Sequence, residues 1–127
     1  MSAYEHILVV DDDGNVRDVL VEMLQEHGYR VSWAVDGQSM REFLQGSDPV
    51  NVIVLDSLMP GENSTTLALH AKELGLPLVM VSGSHEAMKL ADENNLQLLR
   101  KPFRARELVD AVIKAIGSGE PGQRSEN

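Results

Sequence analysis

The sequence predicts an α/β protein: an open, doubly wound parallel sheet of five strands with five helices. Two observations lead there. Short continuous apolar runs, such as Ile7-Leu8-Val9-Val10 and Leu78-Val79-Met80-Val81, read as strands buried on both faces. Between them, apolar residues recur at helical spacing, and five strand–helix alternations fill the 127 residues. Right-handed crossovers then place helices on both sides of the sheet.

The first strand, Ile7–Val10, stops at Asp11-Asp12-Asp13-Gly14. A helix follows with Val16, Val19, Leu20, Met23 and Leu24 on one apolar face, closed by a glycine cap at His27-Gly28. A second strand runs from Tyr29 to Ala34, and Asp36-Gly37 turns into a helix with Met40, Phe43 and Leu44 inward. After the break at Gly46–Pro49 comes the third strand, Val50–Leu55, ending at Asp56. The loop Ser57–Asn63 leads into a helix carrying Leu67, Ala68, Ala71 and Leu74. Gly75 and Pro77 bracket the turn into the fourth strand, Leu78–Val81, which stops at Ser82-Gly83-Ser84. A helix with Ala87, Met88 and Ala91 on one face ends at Asn94-Asn95. The fifth strand is Leu96–Arg100, halted by Lys101-Pro102, and Leu108, Val109, Val112, Ile113 and Ile116 mark the last helix. Residues 1–117 form one domain in this reading, with 118–127 a polar, flexible tail.

A chain of 127 residues needs neither a disulfide nor a structural metal to bury a core. The absence of cysteine fits a reducing compartment and excludes thiol chemistry and cysteine-ligated zinc or iron–sulfur sites. A net charge of −9 argues against direct binding to nucleic acid or an anionic membrane, both of which want a basic footprint. No run reaches the roughly 18 apolar residues of a membrane span, and the start lacks a signal-peptide core. The expectation is a soluble cytoplasmic protein.

The strands end in reactive groups. The first delivers Asp11 and Asp12, the third Asp56, the fourth Ser82 and the fifth Lys101. In an open parallel sheet, ligands bind in the crevice beyond the carboxyl ends of the strands, so residues far apart in sequence meet on one rim. Singly, each has a bland reading: an Asp after a strand is a turn or cap residue, and Ser82 caps the next helix. That reading weakens when all of them fall on the same rim. Neighbouring carboxylates raise one another's cost of ionisation unless a cation compensates. Mg²⁺ suits them, being hard and commonly held by carboxylates, waters and a phosphate oxygen. A lysine and a hydroxyl opposite match the remaining oxygens of a phosphoryl group. The assembly suits phosphoryl transfer to a carboxylate, with Asp56 as nucleophile and the metal and Lys101 absorbing charge.

Four segments carry a resemblance: Ile7-Leu8-Val9-Val10-Asp11-Asp12-Asp13, Val54-Leu55-Asp56-Ser57-Leu58-Met59-Pro60, Met80-Val81-Ser82-Gly83 and Lys101-Pro102-Phe103. In this order and spacing the chain resembles, from about Ile7 to Ile116, the receiver domain of two-component response regulators. The resemblance implies a flavodoxin-like fold with strand order 2-1-3-4-5. It implies that Asp56 takes a phosphoryl group from the phosphohistidine of a sensor histidine kinase or phosphotransfer protein. Asp12, Asp56 and the Leu58 carbonyl would hold Mg²⁺ directly, and Asp11 through water. Ser82 and Lys101 would bind the phosphoryl group, and the Lys101–Pro102 peptide would be cis. Such a protein catalyses its own phosphorylation and slow dephosphorylation while serving mainly as a switch. Two positions depart from the family pattern: Ser64 stands where a glycine is usual, and Leu98 where an aromatic switch residue is usual.

Two other functions compete. A small aspartyl-phosphate phosphohydrolase would use the same nucleophile, Mg²⁺ and lysine, but it needs a second acid two residues after the nucleophile, where Leu58 stands. A degenerate receiver acting only as a binding module would not keep all five reactive groups. Asp11-x-Asp13-x-Asn15 with Glu22 mimics a calcium loop, yet Val16 occupies the place of its glycine. The signalling surface expected is the fourth helix, fifth strand and fifth helix. It would dock a downstream protein, an output domain or a second copy of the chain, with Leu98 as an apolar contact.

Overall fold

A computed structural model describes residues 5–56 and 64–119. The elements alternate as β1 (His6–Val10), α1 (Gly14–Glu26), β2 (Arg30–Ala34), α2 (Gly37–Gln45), β3 (Val52–Asp56), α3 (Ser64–Glu73), β4 (Leu78–Ser82), α4 (His85–Glu93), β5 (Gln97–Arg100) and α5 (Ala105–Gly119). All neighbouring strands pair in parallel, in the order β2-β1-β3-β4-β5. This is the five-stranded flavodoxin-like arrangement expected from the sequence. The order reverses between β1 and β3, and there the crevice at the carboxyl ends opens.

Alternation along each strand divides the core in two. Ile7, Val9, Val52, Val54, Val79 and Val81 face α1 and α5, whereas Leu8, Val10, Ile53, Leu55, Leu78 and Met80 lie beneath α2 and α3. Covered on both faces, β1, β3 and β4 are buried at every position, which is why they read as unbroken apolar runs. Each fully buried Val or Leu contributes about 1.5–3 kcal/mol relative to exposure.

The turns use the chemistry expected of them. Asp13 caps α1, its carboxylate accepting from the amides of Asn15 and Val16, and Asp36 with Ser39 closes a capping box on α2. Gly28, after α1, and Asn95, after α4, take left-handed φ values of 89° and 56°, where a glycine or asparagine ends a helix with least strain. The Lys101–Pro102 peptide is cis, as the resemblance implied.

His6 is a structural residue at the far end of the sheet from the acidic rim. It is buried, with Nδ1 donating to the Pro49 carbonyl at 2.7 Å and Nε2 2.8 Å from the Ser32 hydroxyl. Its amide donates to Asn51 Oδ1, and its ring packs edge-on to Phe43. One side chain thus ties β1 to β2 and to the segment entering β3.

Several details differ from expectation. Asp56 is the last residue of β3 rather than the first after it. Val19, Leu74 and Ile113, placed on inward faces by periodicity, are 49%, 52% and 56% exposed. On α1 the buried stripe is centred instead on Leu20, Val21 and Leu24, and on α5 the small Ala111 and Ala115 are buried. A helix lying close on a sheet buries a narrower arc than its apolar residues span, and alanines permit the close approach. Finally, α5 continues to Gly119, past the boundary expected after residue 117. Helical glycine costs only about 1 kcal/mol, which the buried turns before it offset.

Candidate functional site

Strand register builds the site. Val10 pairs with Leu55, so the next residues along these adjacent strands, Asp11 and Asp56, come side by side, and the turn after β1 adds Asp12. Carboxylate oxygens of Asp11, Asp12 and Asp56 all lie within 4.8 Å of one another. Asp11 and Asp56 are buried and Asp12 is exposed, so the trio opens to solvent on one side.

The two oxygens of Asp11 are treated differently. Oδ1 accepts from the Asp13 amide at 2.9 Å, while Oδ2 is buried with no hydrogen-bond partner among the described residues. A buried carboxylate oxygen left without a donor is costly unless a cation or a proton meets it. Burial foremost, and the neighbouring Asp56 carboxylate, push the Asp11 carboxyl up to about 6, against the pull of the Asp13 amide and Lys101. The donor set is all oxygen, and its charge calls for a small hard cation.

Lys101 enters from the opposite side. Its Nζ stands 3.5 Å from Asp56 Oδ1, and its amide donates to the Ser82 carbonyl at 2.9 Å, which fastens the end of β5 to β4. A Cβ built on Gly83 would touch Lys101 Cβ at 3.7 Å, so the backbone there runs close along the lysine stem. Ser82 is fully buried, and its Oγ accepts from the Ser84 amide at 3.0 Å. Among the described residues no acceptor takes its hydroxyl hydrogen. The cap of α4 is Ser84, whose Oγ accepts from the Ala87 amide, and not Ser82 as the bland reading had it.

Asp11, Asp12, Asp56, Ser82 and Lys101 thus converge at the carboxyl ends of four strands, as the sequence suggested. Leu58 and the loop Ser57–Asn63 lie outside the described residues. Sequence reading missed Arg17, whose Nη1 donates to the Asp11 carbonyl at 3.1 Å. The available signal was a basic residue one helical turn after the acidic run.

A doubly wound sheet that gathers three carboxylates, a lysine and a hydroxyl at its switch point presents a cluster capable of coordinating a divalent cation. The profile of the response regulator receiver domain matches residues 7–113, and the chain belongs to that family. It is a phospho-accepting module of two-component signalling. It is 33% identical over 112 residues to the uncharacterized transcriptional regulatory protein YbdJ of Bacillus subtilis, covering 81% of this chain and 47% of that one. It is 30% identical over 117 residues to the response regulator receiver protein CpdR of Brucella abortus, covering 88% of this chain and 97% of that one. Among solved structures, a putative response regulator from Chloroflexus aurantiacus superposes with a TM-score of 0.81 at 28% identity, covering 89% of this chain and 98% of that one. The chain spans about half the length of YbdJ. Among the described residues no helix is long and apolar enough to cross a membrane.

Proposed function

We propose that Asp56 is the phosphoacceptor and that Mg²⁺ is the cation of the rim. The observation that carries this is the pairing of Asp56 with Lys101 at 3.5 Å inside the acidic trio. Of the three carboxylates, Asp56 is the one that the Lys101 ammonium approaches to 3.5 Å, so charge arriving on it meets a lysine already in place. Asp12, Asp56 and the Leu58 carbonyl would hold Mg²⁺ directly and Asp11 through water; the unsatisfied Asp11 Oδ2 supports that fit. The ion supplies positive charge against the phosphoryl oxygens.

The chain's own residues do the rest. A carboxylate oxygen of Asp56 attacks phosphorus, the bond from phosphorus to the donor's histidine nitrogen breaks, and the nitrogen leaves with its electron pair. Lys101 then pairs with a phosphoryl oxygen and Ser82 donates its hydroxyl hydrogen to another. The donor is the phosphohistidine of a sensor kinase or phosphotransfer protein, in keeping with the family. The signal leaves through α4, β5 and α5; between α4 and β5, His85, Met88, Lys89, Asp92, Leu96 and Leu98 line an open groove of about 580 Å³. The experiment is phosphorylation with Mg²⁺ and acetyl phosphate, followed by intact-mass measurement. The protein gains one phosphoryl group, and Asp56→Asn removes it; undiminished labelling of that variant would sink the assignment.

A further inference from the structure

We infer that Arg17 is a positioning residue that holds the Asp11–Asp12 turn in its cation-binding shape, acting on the backbone rather than on the ion. The inference rests on the Mg²⁺ reading above and extends it to a residue outside the acidic trio.

Arg17 sits in the first turn of α1 and reaches back over the rim. Its Nη1 donates to the Asp11 carbonyl at 3.1 Å. A Cβ built on Gly14 would meet its Nη2 at 3.5 Å, so the guanidinium lies along the backbone of the turn. Its Nε is buried with no hydrogen-bond partner among the described residues. A buried donor left unsatisfied costs desolvation without return, and an arginine turned outward would avoid that cost. The side chain is held inward by what the rest of the guanidinium binds.

Several other polar groups of the turn have partners of their own. The Asp11 amide donates to the Ala34 carbonyl, Asp11 Oδ1 accepts from the Asp13 amide, Asp13 Oδ1 caps α1, and the Asp13 carbonyl accepts from the Arg17 amide. The Asp11 carbonyl is held by Arg17. The peptide joining Asp11 to Asp12 is a rigid plane, so pinning its oxygen fixes where the Asp12 backbone, and with it the exposed carboxylate, is presented. Outer contacts of this kind commonly set metal affinity by orienting the ligands themselves.

Charge and bracing have opposite signs here. As a point charge, a guanidinium beside the trio repels an arriving cation, so its removal would tighten binding. As a brace, its removal loosens Asp12 and weakens binding. The test is calorimetric titration of the full chain with MgCl₂, for the wild type, Arg17→Met and Arg17→Lys, with thermal unfolding measured alongside. Bracing requires roughly tenfold weaker Mg²⁺ binding in Arg17→Met. Arg17→Lys keeps the charge but loses the planar fork, and should fall nearly as far. Unchanged or tighter binding in Arg17→Met overturns the inference, including when its melting temperature falls, because that is the mark of a merely structural role. If Arg17→Met does not fold, Arg17→Lys decides by the same criterion. A wild-type protein that binds no Mg²⁺ overturns the metal reading and this inference with it; wild-type binding with unaffected variants overturns the bracing alone.

Discussion

Asp11 and Asp13 are neighbours of Asp12 in one acidic run, yet each of the three side chains does a different job. Asp13 is spent on the helix, accepting from Asn15 and Val16 amides at 2.9 and 3.3 Å. Asp12 is exposed at the mouth of the trio. Asp12→Ala should therefore weaken Mg²⁺ binding strongly, while Asp13→Ala should spare it and cost about 1 kcal/mol of stability as a lost cap. Parallel titrations and denaturant melts check this, and greater metal loss in Asp13→Ala would reverse the assignment. Asp11 predicts a pH dependence. Its carboxyl titrates at about 6 in the fold against 3.8 unfolded, so the native state holds the proton more tightly. The stabilisation this provides is complete below about pH 4 and is lost as pH rises through 6. Metal-free wild type should lose stability between pH 4 and 7 relative to Asp11→Asn. A cation competes for the same oxygens, so Mg²⁺ affinity should rise with pH over that interval.

Among the elements, α4 is the one placed to move. It has nine residues, and of its side chains only those of Ala87 and Ala91 are buried. Its start is tied to the rim through Ser84, whose amide donates to Ser82 Oγ and whose own Oγ accepts from the Ala87 amide. Drawing the Ser82 hydroxyl toward a phosphoryl group therefore pulls on the first turn of α4. Because Ser84 Oγ is engaged as a cap, it is poorly placed to orient a hydrolytic water, and Leu58 has no group that can. The phosphoryl group should persist for minutes or longer, measured by the decay of the phosphorylated mass. A lifetime of seconds would reveal another water-positioning group. Ser84→Ala should speed amide exchange across α4, consistent with loss of about 1 kcal/mol of capping, and leave that lifetime nearly unchanged.

Over the whole molecule, the central strands β1, β3 and β4 form a plate buried on both faces, and the edge strands β2 and β5 are its less buried parts. Phosphorylation adds roughly −1.5 to −2 charges at the rim. The response should spread from Ser82 through Gly83 and α4 to the edge strand β5, where Gln97, Leu98 and Leu99 are half-buried and Arg100 is exposed. Amide shifts on adding beryllium fluoride with Mg²⁺ should concentrate in residues 82–101, beside the groove containing Leu98. Shifts confined to α1 and the loop before it would place the signalling surface there instead.

Local chemistry was enough to read most of this chain. Unbroken apolar runs can be stable only with both faces covered, so β1, β3 and β4 and their alternation with helices were legible. So was the rim, because parallel strands must all deliver their last residues to the same edge. Tertiary packing settled which side of each helix is buried: periodicity marked Val19, Leu74 and Ile113 as candidates, but close contact with the sheet chose Val21, Ala111 and Ala115 instead. It also separated roles that residue type leaves equal. One serine caps α4 and another accepts at its start, one aspartate caps α1 while its two neighbours join Asp56 in the trio, and Arg17 folds back onto the Asp11 carbonyl. Hydrogen-bond partners distant in sequence are set by how the backbone closes around them, and no local pattern records that geometry.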